Sequence, residues 1–255
     1  MSESRSHEAL LGEQFGSRAA AYLTSAVHAQ GVDLQALADL VRGRNDARVL
    51  DLGCGAGHVS FAVAPSVRAV VAYDLSAEML GVVAAAAAER GLGNIGTERG
   101  RAEKLPFAEA SFDFVFSRFS AHHWQDFDAG LREAARVLKP GGTAAFVDVI
   151  SPGVPLLDTY LQTVELLRDA SHVRDYSRAE WDAAIAQAGL ICATTSHHRL
   201  RMVFAVWVER MNTPKLQCDA IRALQRAMSE SVTRYYAIDA AGSFDLDVML
   251  AVASK

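Results

Sequence analysis

The sequence predicts an α/β fold: a doubly wound, mostly parallel sheet of seven strands with helices on both faces. Three observations carry that prediction. Short apolar runs alternate with helical periodicities through the first 150 residues, and a glycine cluster closes the first of those runs. The chain has 255 residues, 51% hydrophobic and 22% charged, which suits one core rather than two. Strands alternating with helices at this spacing imply right-handed crossovers and a parallel sheet buried on both sides.

From His7 to Val27 apolar residues recur at helical spacing, with Leu11, Phe15, Ala19, Tyr22 and Ala26 in one stripe, and a short helix is expected from Asp33 to Arg42. Arg48 to Leu52 is a buried strand running into glycines. His58 to Ala64 reads as a helix stopped by Pro65, and Ala69 to Tyr73 as a second strand closing on Asp74. Ser76 is a suitable N-cap for an alanine-rich helix over Glu78 to Arg90, and Gly91 supplies a residue free to take positive φ at its end. Further strands are expected at Ile95 to Glu98, Phe112 to Phe116 and Thr143 to Ile150. A helix from about Phe127 to Leu138 halts at Lys139, because the residue before Pro140 avoids the α region.

Past Ile150 the rhythm changes. Pro155 to Ala170 forms an amphipathic pattern, and Ser177 with Glu180 is a capping box for a helix ending at Gly189. Leu190 to Ser196 reads as a sixth strand and Phe244 to Val252 as the last. Between them Thr213 is expected to cap a helix with Pro214 at its first position, running to Met228 with Leu216, Ile221, Leu224 and Met228 on one side. No repeat or linker interrupts the chain, so a single domain is expected over 1–255. Its parts are a helical cover over 1–43, a ligand-binding core over 44–150, and helical insertions with the last two strands over 151–255.

Composition narrows the function. A formal charge of -5 argues against a protein that binds by neutralising many phosphates, so no nucleic-acid partner is expected. No uncharged stretch nears the ~20 residues that cross a bilayer, and the opening residues lack a signal-peptide core. Cys54, Cys192 and Cys218 have neither pairing arithmetic nor ligand spacing, which fits a reducing cytoplasm and no metal site. His197 and His198 do not change this, since neighbours on a strand point to opposite faces.

The informative segment is Val49-Leu50-Asp51-Leu52-Gly53-Cys54-Gly55-Ala56-Gly57-His58, a strand, a glycine-rich turn and a helix start. Alternate glycines let main chain approach a ligand at the carboxyl edge of the sheet, where open α/β folds bind small molecules. A dinucleotide fingerprint wants a small residue where His58 stands, which disfavours a nicotinamide-dependent oxidoreductase. Asp74 ends the second strand, 23 positions after Asp51, where a ribose-binding carboxylate belongs.

With a nucleoside indicated but no diphosphate cradle, the chain resembles the class I S-adenosylmethionine-dependent methyltransferases, in particular the small-molecule group that includes ubiquinone and menaquinone biosynthesis enzymes. The likeness extends through Asp74-Leu75-Ser76 with Met79, Ala102-Glu103-Lys104-Leu105-Pro106-Phe107, Phe112-Asp113-Phe114-Val115 followed by His122-His123-Trp124, and Leu138-Lys139-Pro140-Gly141-Gly142. It covers roughly residues 10 to 150 and implies a Rossmann-like methyltransferase fold with S-adenosyl-L-methionine as cofactor.

That resemblance implies that Gly53, Gly55 and Gly57 lie against the methionine and ribose portions, with Asp51 near the amino group and Asp74 on the ribose hydroxyls. Leu75 and Met79 would flank the adenine, Ala102 and Glu103 would meet its edge, and Ser117 and Arg118 would close the methionine end. Arg101 stands where many relatives carry an acidic residue.

The implied activity is methyl transfer to a small, apolar or aromatic acceptor. Alignment and exclusion of water do most of the work there, and proximity alone can supply ~7 to 11 kcal/mol. An acceptor that must lose a proton would use a base, for which His122 and His123 are candidates. Candidate acceptor contacts are Tyr22, His28, Trp124, His172 and Arg174. The alternative in another class is a non-catalytic S-adenosylmethionine-binding protein.

Overall fold

The computed structural model describes residues 6, 7, 10, 11 and 31–255. Most of the stripe from Leu11 to Ala26, with Tyr22 and His28, lies outside the described residues. Among the described residues the first full element is α1 (Val32–Leu40), which leads into β1 (Arg48–Leu52), α2 (His58–Val63) and β2 (Ala69–Asp74). Next come α3 (Ala77–Glu89), β3 (Ile95–Arg99) and β4 (Phe112–Arg118), a 3-10 turn over Ala121–His123, and then α4 (Phe127–Val137) and β5 (Leu138–Ile150).

The expected caps form. Ser76 accepts from the Met79 backbone N–H, and Asp126 accepts from Ala129 at the start of α4. The chain continues with α5 (Pro155–Arg168), α6 (Arg178–Gln187), β6 (Ile191–Met202), α7 (Phe204–Met211), α8 (Lys215–Ala227), α9 (Glu230–Tyr235) and β7 (Phe244–Ser254). Ser177 and Glu180 close the capping box at α6.

All seven strands join one sheet in the order β3-β2-β1-β4-β5-β7-β6. The first five pair in parallel, while β7 runs antiparallel to both β5 and β6. The order reverses at β1, so β1 and β4 diverge at the carboxyl edge and leave a crevice there. Alternation along the strands sorts the core. Val49, Phe116, Val147 and Val248 face the side covered by α1, α2, α5, α7 and α8, whereas Leu50, Val115, Phe146 and Met249 face α4 and α6. Trp207 and Trp181 anchor the two sides, each about 1% exposed.

Several expectations need correction. The fifth strand starts at Leu138 rather than after Gly142, because Leu138 pairs with Phe112 before a register shift; Pro140 stops the helix but not the sheet. The sixth strand runs on to Met202, since β7 pairs with it along its full length. Thr213 does not cap α8: its Oγ1 donates to the Arg168 carbonyl at 3.0 Å, and Pro214 stands at the cap position. Leu216 is 81% exposed, whereas Ile221 is fully buried. Helical spacing separates them by more than a quarter turn, so they share no face. The short helices α7 and α9 were not anticipated from the pattern.

Candidate active site

A cavity with about 1110 Å³ of empty space, its open mouth included, lies at the carboxyl ends of β1, β2 and β4. The β1–α2 turn forms its floor. Gly53 has φ +70°, and a Cβ there would sit 1.8 Å from the Ser120 Oγ; only glycine lets the turn pass under the β4 loop. Gly57 has φ +82°, and its Cβ would meet Val83 at 2.9 Å and Phe61 at 3.0 Å, so it serves the packing of α2 rather than the cavity lining.

Asp74 organises the loops. Its Oδ2 accepts from Gly55 N–H at 2.8 Å and its Oδ1 from Ser76 N–H at 2.9 Å. Burial raises its carboxyl above the ordinary range, and those two N–H groups pull the other way. Asp51 is 1% exposed. One of its oxygens accepts from Ser60 N–H at 2.9 Å and Ser60 Oγ–H at 2.6 Å. Burial pushes it up to about 7, outweighing those bonds. A buried carboxylate, Asp51, and a half-buried one, Asp74, beside an apolar cavity suit a ligand with hydroxyl donors and a positive charge, as an adenosyl sulfonium has.

The remaining walls are mostly apolar. Leu75, Met79, Ala102, Glu103, Arg118 and Trp124 all line the cavity. Glu103 accepts from the Gln125 and Asp126 backbone N–H groups at 2.8 and 3.3 Å, and Arg101 lies 3.6 Å from its carboxylate. Arg118 is ion-paired with Asp33 of α1, and both side chains are 4% exposed.

A second chamber, with about 600 Å³ of empty space, opens behind the first beneath α5 and α7. Phe119 and His123 line both, and so form the partition. Its walls include the apolar Val149, Met202, Trp207 and Leu246 and the ionisable Glu165, Arg168, Asp169 and Asp175, with the Arg168 guanidinium stacked on Trp207. His122 lines only this second space. Its Nδ1 is 2.6 Å from the Asp148 carboxylate, which also accepts from Ala121 and Val149 N–H at 2.9 Å each.

Burial opposes a charge on His122, but Asp148 prevails and raises it to about 9. Burial and the charge of His122 together depress His123 to about 4. His172, buried and hydrogen-bonded to Gln162 at 2.9 Å, is driven to about 2 by burial first and by the neighbouring cations second.

The structure gathers most of the residues singled out in the sequence, though not all. Asp51, Gly53, Gly55, Asp74, Leu75, Met79, Ala102, Glu103, Arg118, His123 and Trp124 line the first cavity. Gly57 and Ser117 do not; Ser117 is 2% exposed, beneath the floor. His172 and Arg174 reach neither space. Arg174 is held by Asp158 and Glu180, each at 3.2 Å, as a tie between α5 and α6.

Sequence reasoning passed over Asp148. Its signal was available, for a carboxylate inside the apolar run Ala144 to Ile150 has no business there without a partner. Asp148 and Asp175 each bring a ligating atom within 4.8 Å of one on His122. Both Asp148 oxygens already accept main-chain hydrogen bonds, and Oδ1 also holds His122, so these two form a hydrogen-bonded pair, while Asp175 Oδ2 lies buried beside them without a hydrogen bond among the described residues.

The described residues therefore frame a cavity with one buried and one half-buried carboxylate, and a second space behind a histidine. Residues 50–146 match the family model described as a methyltransferase domain. An uncharacterized methyltransferase of Bacillus subtilis, YcgJ, is 37% identical over 78% of this chain and 79% of its own length. The chain belongs to the class I S-adenosylmethionine-dependent methyltransferases. An uncharacterized Escherichia coli protein, YafE, is 50% identical over 80% of this methyltransferase and 98% of its own length. A demethylmenaquinone methyltransferase of Chlorobaculum parvum is 36% identical over 46% of the chain and 47% of its own. The crystal structure of YcgJ superposes with a TM-score of 0.84 at 33% identity, covering 88% of this chain and 97% of that one. Among the described residues, no helix is long and apolar enough to cross a membrane.

Proposed function

We propose that this methyltransferase binds S-adenosyl-L-methionine in the first cavity and passes its methyl group to a small molecule held in the second. The carrying observation is the shared wall: two spaces meet at Phe119 and His123, one bounded by the glycine turn and Asp74, the other by the helices inserted after Ile150. When bound, the cofactor supplies an electrophilic methyl group on a sulfonium.

The chain's own residues do the rest. Asp74 accepts from the ribose hydroxyls while keeping its two backbone bonds, Asp51 and Arg118 bound the methionine end, and Leu75 and Met79 sandwich the adenine, whose edge meets Ala102 and Glu103. The apolar walls exclude water, which strengthens each of those polar contacts. A non-catalytic S-adenosylmethionine-binding protein would have no use for the second space. The three unpaired thiols support a reducing, cytoplasmic setting.

The test is calorimetry with S-adenosylhomocysteine and with NAD, followed by native mass spectrometry for retained cofactor and a co-purifying acceptor. Binding of S-adenosylhomocysteine without NAD is expected; the reverse would end this reading.

A further inference from the structure

We infer that the two adjacent histidines have opposite and fixed roles: His123 receives the acceptor's proton through Nε2, while His122 is a permanent imidazolium, so the acceptor is one that must lose a proton, a hydroxyl or an activated carbon acid. The inference rests on the reading above and extends it to the acceptor's chemistry.

The tautomer of His123 is written in its contacts. Its Nδ1 lies 3.1 Å from the Ser171 carbonyl oxygen. A carbonyl can only accept, so Nδ1 carries the hydrogen, and in the neutral ring the lone pair is at Nε2. The Ser171 hydroxyl, 3.5 Å away, is already committed as a donor to Asp169 at 2.6 Å. The main chain of His123 is pinned as well, its carbonyl lying 3.2 Å from His7 Nε2. Its ring stands in the partition, where a reacting group in the second chamber would meet the methyl donor.

The state of His122 follows from Asp148. That carboxylate is 1% exposed and is fixed as an acceptor by two backbone N–H groups. A neutral His122 could keep its Nδ1–H on Asp148, but the buried anion would lose the positive charge of its ion-pair partner. The two rings are 4.3 Å apart between centroids, so a proton on His122 opposes one on His123, and the pair titrates with His122 retaining its proton far longer.

Other charges face the pair from every side. Arg168 and Glu165 on α5, then Asp169, His172 and Asp175, stand below it; Arg210 comes from α7, His7 from the N-terminal residues, and Asp51 with Arg118 from across the first cavity. Burial raises Glu165 and Asp175 toward their uncharged forms, which weakens their pull on a second proton. Asp169 lies 3.9 Å from His123 Nε2, too far to hold a proton there but near enough to favour an imidazolium once formed.

The step balances. The acceptor's O–H or C–H proton passes to His123 Nε2; the electron pair left behind forms the new bond to the methyl carbon; the old carbon–sulfur pair stays with sulfur; and His123 later returns the proton to water. His122 takes no proton in this sequence. Its fixed charge stabilises the developing oxyanion or carbanion.

Nitrogen-15 histidine spectra of the full chain, assigned with His122→Gln and His123→Gln, test the assignment without any turnover. The expected result at pH 7 is His123 as the neutral Nδ1–H tautomer, titrating only near pH 4, and His122 doubly protonated to about pH 9. In Asp148→Asn the His122 midpoint should fall by at least one pH unit and that of His123 should rise. A neutral His122 at pH 7, or His123 found as the Nε2–H tautomer, overturns the inference, and the native spectrum decides even if the Asp148 variant does not fold.

Calorimetry with S-adenosylhomocysteine on the same sample separates the two readings. Binding with the wrong tautomer removes the base alone, and the right tautomer without binding removes the cofactor site. For acceptor class, 2-naphthol and isoquinoline are the probes, supplied with methyl-labelled cofactor. Methylation of 2-naphthol that falls at least tenfold in His123→Gln supports the inference, and preferential methylation of isoquinoline, which has no proton to lose, refutes it.

Discussion

Replacing Asp74 by asparagine probes the cofactor site at the least steric cost. In the native protein both carboxylate oxygens accept main-chain hydrogens, from Gly55 at 2.8 Å and Ser76 at 2.9 Å. An amide offers one oxygen and one NH₂, so one of those N–H groups must face another donor. An unsatisfied buried donor costs about 1–3 kcal/mol, and a thermal melt should show that loss. The ligand loses more than geometry: hydrogen bonds to a charged acceptor contribute about 1.5–3 kcal/mol. At about 1.4 kcal/mol per tenfold, that weakens S-adenosylhomocysteine by roughly 10- to 150-fold in calorimetry. A variant that melts like the native protein and binds within threefold of it would mean that Asp74 neither shapes the loops nor holds the ribose.

Three further outcomes follow from the same structure. Asp51 titrates at about 7 because it is buried. If its anionic form holds the cofactor's ammonium group, S-adenosylhomocysteine affinity should be flat above that pH and fall by up to tenfold per unit below it, whereas Asp51→Asn should bind weakly and without that slope. Gly57→Ala puts a Cβ 2.9 Å from Val83 at φ +82°; a left-handed non-glycine residue costs about 1–2 kcal/mol and overpacking about 1–3 more, to be read in denaturant unfolding. Asp33→Ala strips Arg118 of a carboxylate where both side chains are 4% exposed. Breaking such a buried pair costs about 3–5 kcal/mol, and a change under 1 kcal/mol in the unfolding free energy would show the tie to be idle.

The half of the molecule that holds β1 to β4 was legible because its signals are local. Apolar runs bounded by glycine and aspartate, a serine cap at Ser76, and a helix-ending Gly91 each act within a few residues. So was most of the first cavity, since Asp51, Asp74 and the turn glycines sit at strand ends whose placement the topology dictates.

The second half was less legible because long-range pairing sets it. Strand β6 extends to Met202 only because β7 lies beside it, and Leu138 turns from helix end to strand start because Phe112 offers a partner. The short α7 carries no propensity signal that outweighs its tertiary setting around Trp207. The two histidines drew attention as a pair, but what divides them is Asp148, 26 positions beyond His122 on β5.

The strand order carries a last consequence. The glycine turn and Asp74 belong to strands at one end of the sheet, whereas much of the second chamber is built from α5, α7 and the antiparallel β6–β7 ribbon at the other. Substitutions there can therefore reshape the second chamber while the glycine turn and Asp74 keep their own strands and loops. The loop carrying Phe119 and His123 borders both spaces, and Met211 of α7 packs with Ala56 and Met79, so these are the positions through which a change in one space is felt in the other.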